Sequence, residues 1–243
     1  MRPAGLAALG AGAGAAAYVV YHAVSPTSQR YGPTLCRLPG SGRRIALTFD
    51  DGPNPDATPA LLDVLDRHGA YATFFLIGRF AKLEPDLVRA IGGAGHGIGN
   101  HTWSHPSLPT TCGTRLRDEL ARTRAAVEGA GAQLSEIDGL ALMRPPYGRR
   151  RPGSLRTLRG CGYAPVMWSI TCYDWRRTTT ARAIARRGVR ARDGDIVLLH
   201  DGSDRALGAD RSKTLAATEA IIERGRASGY EFVTVPELVS GGS

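Results

Sequence analysis

The alternation of short apolar runs with helical patterns constrains the fold of this chain more than any other feature of its sequence. Residues 45–49, 72–77 and 195–199 form mostly apolar runs that are too short for helices and lack the polar face of a half-exposed strand. Helical patterns lie between such runs, and residues 114–130 form the clearest amphipathic example. Buried strands that alternate with helices indicate a parallel sheet covered by helices. About seven of these units favour a barrel over an open sheet.

The length of the chain, 243 residues, suits one α/β domain with a short extension and does not exclude two domains. We predict four segments in chain order: an N-terminal membrane anchor or signal segment (1–25), a linker (26–42), a folded domain (43–239) and a tail (240–243).

The N-terminal residues 4–24 contain no acidic residue, lysine or arginine. At about 1.5 Å per residue, a helix of this length just reaches across a bilayer core. Arg2 in front of it favours an N-terminus inside and the rest of the chain outside. A cleaved signal peptide, or an alanine-rich tail without a membrane role, fits the same residues. We therefore expect an exported protein, either membrane-anchored at the extracytoplasmic face or secreted.

The net charge of +9 comes almost entirely from arginine, since Lys82 and Lys213 are the only lysines. It fits an anionic partner or a codon bias towards Arg, Ala and Gly. The arginines are not interleaved with aromatic residues, so we expect no nucleic-acid partner. The cysteines form no CxxC pair, which disfavours a structural zinc site, and their even number permits disulfides of undetermined pairing: Cys36, Cys112, Cys161 and Cys172.

Polar residues follow the predicted strands. Asp50 and Asp51 come directly after the first strand, and a metal ion is the usual compensator for two acids at a buried strand end. In a (β/α) barrel the reactive residues collect at the C-terminal strand ends. The other polar or aromatic residues in such positions are His101, His105, Arg144, Tyr147, Asp174, Trp175 and His200.

His101 and His105 are spaced to lie on the same side of one helical turn. One carboxylate and two imidazoles make a three-ligand site with open positions, which is typical of catalytic zinc. The same donors suit iron or another divalent ion.

Five short motifs resemble those of the NodB-homology polysaccharide deacetylases, carbohydrate esterase family 4. In order they are TFDDGP (48–53), HTxxH (101–105), RPPY (144–147), DW (174–175) and LLH (198–200). The resemblance covers roughly residues 43–239. It implies a deformed (β/α) barrel of about seven parallel strands and metal-dependent removal of acetyl groups from N-acetylated sugars.

The resemblance also implies roles for individual residues. Asp51, His101 and His105 are expected to bind a divalent ion, Zn²⁺ first and Co²⁺ or another ion as alternatives. Asp50 is expected to be the general base that takes a proton from the attacking water. His200 is expected to be the general acid that protonates the departing amine.

Arg144 is expected to orient Asp50 and keep its pKa low, and Asp174 to hold Arg144 in turn. The backbone N–H of Tyr147 is expected to stabilise the oxyanion, and Trp175 with Leu198 to enclose the acetyl methyl group. Substrate contacts are thus implied for Pro146, Tyr147, Trp175 and Leu198.

One position departs from the family pattern, because Thr171 stands where many relatives carry an acid. The leading hypothesis is N-deacetylation of a polymer that contains N-acetylglucosamine, either peptidoglycan or a chitin-type oligosaccharide. An alternative on the same scaffold is a deacetylase or deformylase that acts on O-acetylated xylan or a lipid-linked sugar. An alternative of another class is a non-catalytic carbohydrate-binding protein.

Overall fold

The fold is a deformed (β/α) barrel, as predicted, seen here in a computed structural model that describes residue 14 and residues 16–241. Seven parallel strands lie in the spatial order β6-β5-β3-β2-β1-β8-β7, with β4 antiparallel to β5, and with β9 pairing with the start of β1. The strands are β1 (Arg44–Asp50), β2 (Ala72–Leu76), β3 (Gly97–Asn100), β4 (Glu136–Ile137), β5 (Leu140–Met143), β6 (Tyr163–Pro165), β7 (Ile170–Thr171), β8 (Ile196–His200) and β9 (Glu231–Phe232).

Helices cover the outside of the sheet. After the N-terminal region they are α1 (Thr58–Arg67), α2 (Gly78–Leu83), α3 (Pro85–Gly93), α4 (Gly113–Gly129), α5 (Pro152–Gly160), α6 (Ala181–Gly188), α7 (Ser212–Ala227) and α8 (Val235–Ser240). Three elements were not predicted: α2, α8 and the short β4. The mostly apolar run over residues 163–170 predicts one strand, but the structure divides it into β6 and β7, with a loop between them.

Alternate residues of the strands face two different apolar clusters. Ile45, Leu47 and Phe49 of β1 pack under the helices in the larger cluster. Ala46 belongs to a second cluster inside the barrel, with Leu198 of β8. This period of two along a strand places the following inward positions, Thr48 and Asp50, in the barrel interior.

The N-terminal end of the barrel is closed by α8. Val235 and Leu238 of that helix belong to the interior cluster, and the backbone N–H of Val235 donates to Thr73 Oγ1 at 2.9 Å. The interior therefore opens at the C-terminal strand ends.

Among the described strands, no pairing joins β6 to β7, and residues 166–169 form a seam there. The fully buried Arg144 spans this seam from inside and donates to the carbonyls of Val166 and Met167 at 3.3 and 3.0 Å. Leu35 covers the seam from the predicted linker: its N–H donates to the Pro165 carbonyl at 3.0 Å. Residues 26–42 are therefore not a free tether, because part of this segment pairs with the barrel.

Residues 16–24 are helical, and the rest of the predicted hydrophobic segment 4–24 lies outside the described residues, except residue 14. Among the helices that the structure describes, none combines the length and the apolar character needed to cross a bilayer. All four cysteines are free thiols.

Candidate active site

A cleft of about 550 Å³ opens at the C-terminal end of the barrel, where β1 delivers two carboxylates. Asp50 continues the strand and points inwards, whereas Asp51 turns away in a left-handed conformation with φ of 72°. Asp51 Oδ1 lies 3.3 Å from His105 Nε2 and 3.5 Å from His101 Nε2. The two adjacent acids are thus separated, and only Asp51 approaches both histidines within this range.

The two histidines share a tight, buried turn rather than a helix. Thr102 and His105 both have positive φ, 67° and 60°. Asn100 accepts a hydrogen bond from the Thr102 N–H at 2.8 Å, and Thr102 Oγ1 accepts one from the His105 N–H at 3.2 Å. Positive φ is costly outside glycine, so this local strain is held in place by the surrounding hydrogen bonds.

The Nε2 atoms of these two histidines lie close together, and the Nδ1 partner of His101 fixes its tautomer. His101 Nδ1 donates to the Arg144 carbonyl at 2.8 Å, which leaves its Nε2 unprotonated. His105 Nδ1 faces Asp204 Oδ2 at 3.3 Å. The two Nε2 atoms are 3.1 Å apart. Burial lowers the pKa of each imidazole to about 3, so both are neutral at pH 7.

Asp51, His101 and His105 fit a metal ion. Their ligand atoms all lie within 4.8 Å of one another. Asp51 Oδ1 is buried without a hydrogen-bond donor, and burial raises the Asp51 pKa to about 7. An orphaned carboxylate oxygen beside two imidazole lone pairs is unfavourable unless a cation neutralises it. One carboxylate and two imidazoles are also a common donor set for a catalytic divalent ion.

Asp50 is held by Arg144 alone among cationic side chains of the described chain. Arg144 Nη1 donates to Asp50 Oδ1 and to Thr48 Oγ1, both at 2.7 Å. This confirms the predicted pairing but not its predicted effect on acidity. Burial raises the pKa of Asp50, and the Arg144 charge only opposes that increase.

Asp174 does not hold Arg144, contrary to prediction. It lies beside β8 instead, where its carboxylate accepts the His200 backbone N–H at 2.8 Å and His200 Nδ1 at 2.9 Å. Thr214 Oγ1 donates a third hydrogen bond to the Asp174 carboxylate at 3.0 Å. Since Arg144 lies inside the barrel at the seam, it reaches Asp50, Thr48 and two backbone carbonyls instead of Asp174.

The partners of His200 favour its charged form. Burial alone would lower the pKa of this imidazole, but the Asp174 carboxylate, helped by Asp51 and Asp50, raises it to about 9. The charge on His200 in turn keeps the Asp174 pKa below its ordinary value, although burial acts in the opposite direction. The cleft therefore holds a buried carboxylate, three converging side chains that could hold a metal ion, and a protonated imidazole.

A family model described as polysaccharide deacetylase matches residues 37–166, more than half of the chain. The chain belongs to the polysaccharide deacetylases. It is 36% identical over 204 residues to a peptidoglycan-N-acetylglucosamine deacetylase from Bacillus cereus, covering 83% of this chain and 91% of the relative. It is also 36% identical to a chitooligosaccharide deacetylase from a Bradyrhizobium species, covering 81% and 90% of the two chains. A solved family 4 carbohydrate esterase from Streptomyces lividans, in complex with acetate, superimposes with a TM-score of 0.69 at 31% identity, covering 78% of this chain and 91% of that one.

Most of the predicted substrate contacts line the cleft of this deacetylase. Tyr147, Trp175 and Leu198 contribute to its wall, and Tyr147 adopts a strained φ of 57° in the turn that carries it. Pro146 is buried within that turn and is not part of the wall. The structure therefore places three of the four predicted contact residues around the reactive groups.

Sequence reasoning missed several cleft residues of the deacetylase. Asp204, in the loop after β8, accepts the Tyr147 hydroxyl at 2.8 Å and faces His105. Its only sequence signal is a position four residues after His200. The further unpredicted wall residues are Gly148, Trp168, Ser203, Arg205 and Arg211.

Thr171, the departure from the family pattern, supports one of those wall residues. Its Oγ1 accepts the indole N–H of Trp168 at 2.8 Å. Thr171 therefore fixes an aromatic ring at the cleft wall.

Proposed function

We propose that this deacetylase hydrolyses the acetamide of N-acetylglucosamine units in a glycan, with peptidoglycan or chitin-type oligosaccharides as the substrate class. The observation that carries the proposal is that an Arg144-bound carboxylate and a protonated His200 line the same cleft as three converging ligand atoms. The named relatives act on these two kinds of glycan. A non-catalytic binding protein would have no need to assemble all of these groups.

Asp51, His101 and His105 would hold the metal ion, and zinc suits this donor set best, with cobalt or iron as alternatives. When bound, such an ion supplies Lewis-acid polarisation of the acetyl carbonyl and lowers the pKa of water.

Asp50 acts as the general base. Arg144 occupies Asp50 Oδ1, so Oδ2 is the free oxygen; it lies 3.8 Å from His101 Nε2, on the side of the metal ligands. The attacking water gives its proton to this carboxylate while its oxygen bonds to the acetyl carbon. The backbone N–H of Tyr147 stabilises the resulting oxyanion.

His200 acts as the general acid. Its Nδ1 is bound to Asp174, so the proton on Nε2 is the one available to the cleft. An amide nitrogen leaves poorly unless protonated, and a pKa of about 9 keeps His200 charged at neutral pH. Transfer of this proton breaks the C–N bond and leaves acetate and the free sugar amine.

We also propose that the protein works outside the cytoplasm, since its substrate class is found in cell walls and residues 4–24 resemble an export or anchor segment.

Acetate release from N-acetylchitooligosaccharides and from peptidoglycan tests the function. The full chain is stripped of metal with a chelator and then given zinc or cobalt. The expected result is release that depends on metal and that falls about 10²–10⁴-fold in Asp50→Asn. Asp86→Asn, the same change at an exposed side chain of α3, is the matched control. No release from either glycan with metal bound would contradict the proposed substrate class.

A further inference from the structure

The helix over residues 16–24 is apolar around most of its circumference and is nevertheless exposed. Val19, Val20 and Tyr21 are 54%, 60% and 59% exposed, and Tyr18 and Val24 are also open to solvent. In globular proteins a helix that is hydrophobic on all sides is normally buried in a core or a membrane. We therefore expect the apolar surface of this helix to be buried against a lipid or a protein partner.

The sequence around the helix favours lipid as that partner. Residues 3–29 form one continuous uncharged stretch, in a chain whose overall net charge is +9. Tyrosines 18 and 21 on the helix are residues typical of a membrane–water interface. A charged protein partner would find no complementary group on this helix, whereas a bilayer requires none.

A buried arginine connects the end of this helix to the cleft. Arg150 has no exposed surface, and its guanidinium donates to the carbonyls of Gly148 at 3.0 Å and Ser28 at 2.9 Å, and also to that of Ser25. The Arg150 backbone N–H donates to the Ala23 carbonyl at 3.0 Å.

Gly148 lines the cleft, so the helix is fixed beside the Tyr147–Gly148 turn. Tyr31 supports the same docking, because its hydroxyl donates to the Val19 carbonyl at 3.0 Å. Nine helical residues extend only about 13 Å. Starting from the Ala23 attachment, the exposed apolar residues of the helix therefore lie close to the Tyr147–Gly148 turn.

We propose that residues 16–24 form a lipid-binding helix and that Arg150 fixes it so that the mouth of the cleft lies at the membrane surface. If the proposed function holds, a cleft at the membrane surface limits the substrate to acetylated glycan near the membrane. Such a glycan is either a lipid-linked sugar or the innermost part of the wall polymer.

Flotation of the full chain with phosphatidylcholine vesicles tests lipid binding without any measurement of activity. Val20→Lys combined with Tyr21→Lys is expected to lower vesicle partition about tenfold or more. Leu83→Lys is the matched control, since Leu83 is 64% exposed in α2, and should float like the wild type. Asp50→Asn should float equally well, so a failed deacetylase assay leaves this result intact.

Three outcomes would overturn the proposal. The first is no flotation of the wild type. The second is a wild-type oligomer in solution that the double lysine variant converts to monomer, which would mean that a second copy covers the helix. The third is an intact mass from the native host that shows a chain starting after residue 24, which would mean that the helix is removed.

The native tryptophans test the orientation, because all three lie at the cleft end of the barrel. Trp103 follows β3, and Trp168 and Trp175 line the cleft. Energy transfer from tryptophan to dansyl-labelled lipid is expected on vesicle binding of the wild type. Flotation without this transfer would mean that the opposite end faces the lipid.

Discussion

The two sides of the cleft hold buried histidines in opposite protonation states. His101 and His105 have pKa values of about 3, whereas that of His200 is about 9. Burial lowers the pKa of all three rings. At His200 the Asp174 carboxylate, 2.9 Å from Nδ1, outweighs burial, whereas His101 donates to a neutral carbonyl and Asp204, 3.3 Å from His105 Nδ1, does not outweigh it. One side can therefore offer lone pairs to a metal, while the other offers a proton.

The two neighbouring aspartates differ in the same way. Asp50 shares a hydrogen bond with the fully buried Arg144, and Asp51 has a buried oxygen without a donor. The first arrangement fixes a carboxylate as a base, and the second leaves one available to a cation. Substitutions on either side should therefore have separable effects on metal binding and proton transfer.

Loss of a metal ligand should have the largest effect. His101→Gln is expected to abolish stoichiometric zinc binding and to lower kcat/KM by about a thousandfold or more, because an ion supplies several kcal/mol of transition-state stabilisation. Metal content by mass spectrometry and acetate release would measure both effects. His68→Gln, at the half-buried end of α1, is the control and should change neither. Full zinc content in His101→Gln would contradict the assignment.

Loss of the general acid, His200, should have the second-largest effect. His200→Ala is expected to lower kcat on an acetamide by about 10²–10³-fold with zinc content unchanged. The loss on an O-acetyl ester should be smaller, since an alkoxide leaves more easily than an amine. Parallel assays on chitooligosaccharide and an acetyl ester would show the difference. Equal losses on both substrates would argue against proton donation by His200.

Asp174→Asn should shift a pH profile rather than abolish activity. Without the carboxylate, the His200 pKa falls from about 9 towards its ordinary 6.5, so the alkaline limb of kcat moves to lower pH. At pH 8 activity should fall by about tenfold or more.

Stability gives a second readout of the same pair. The raised pKa of His200 means that its contribution to stability is complete below pH 6.5 and is lost as the pH rises through 9. The free energy of unfolding of the wild type should therefore decrease across this range, and that of Asp174→Asn should change less. An unshifted alkaline limb in the variant would mean that another group sets it.

Asp204→Asn should have the smallest effect, on the metal side. Asp204 faces His105 Nδ1 at 3.3 Å, and such outer carboxylates tune a ligand without binding the ion. Zinc affinity is expected to fall by about tenfold, with the alkaline limb unmoved. Tyr147→Phe removes the hydrogen bond that the Tyr147 hydroxyl donates to Asp204 and should leave zinc affinity unchanged. A shift of the alkaline limb in Asp204→Asn would contradict the prediction that Asp204 acts on metal binding alone.

The reactive groups were predictable because each follows a strand. Asp51, His101 and His105 meet as expected, since parallel strands deliver their C-terminal ends to one rim. The pairing of Asp174 was not predictable, because sequence order does not show which of two cations an acid will reach. In the structure Asp174 lies beside β8, and it therefore binds His200 and not Arg144.

The missed parts of the fold have similar causes. Residues 163–170 look like one strand because they are mostly apolar, but the seam between β6 and β7 interrupts them to accept Arg144. Trp168 and Asp204 reach the cleft through loop conformation, which leaves no periodic signal. Leu35 pairs with the seam although its Pro- and Gly-rich surroundings suggested a tether.

Histidine NMR titration of the metal-free protein tests the division between the two sides most directly. We expect the His200 ring to titrate near pH 9, while the rings of His101 and His105 stay neutral down to about pH 4 or below. A His200 ring that titrates at or below 6.5, with His101 and His105 gaining protons first, would contradict this division.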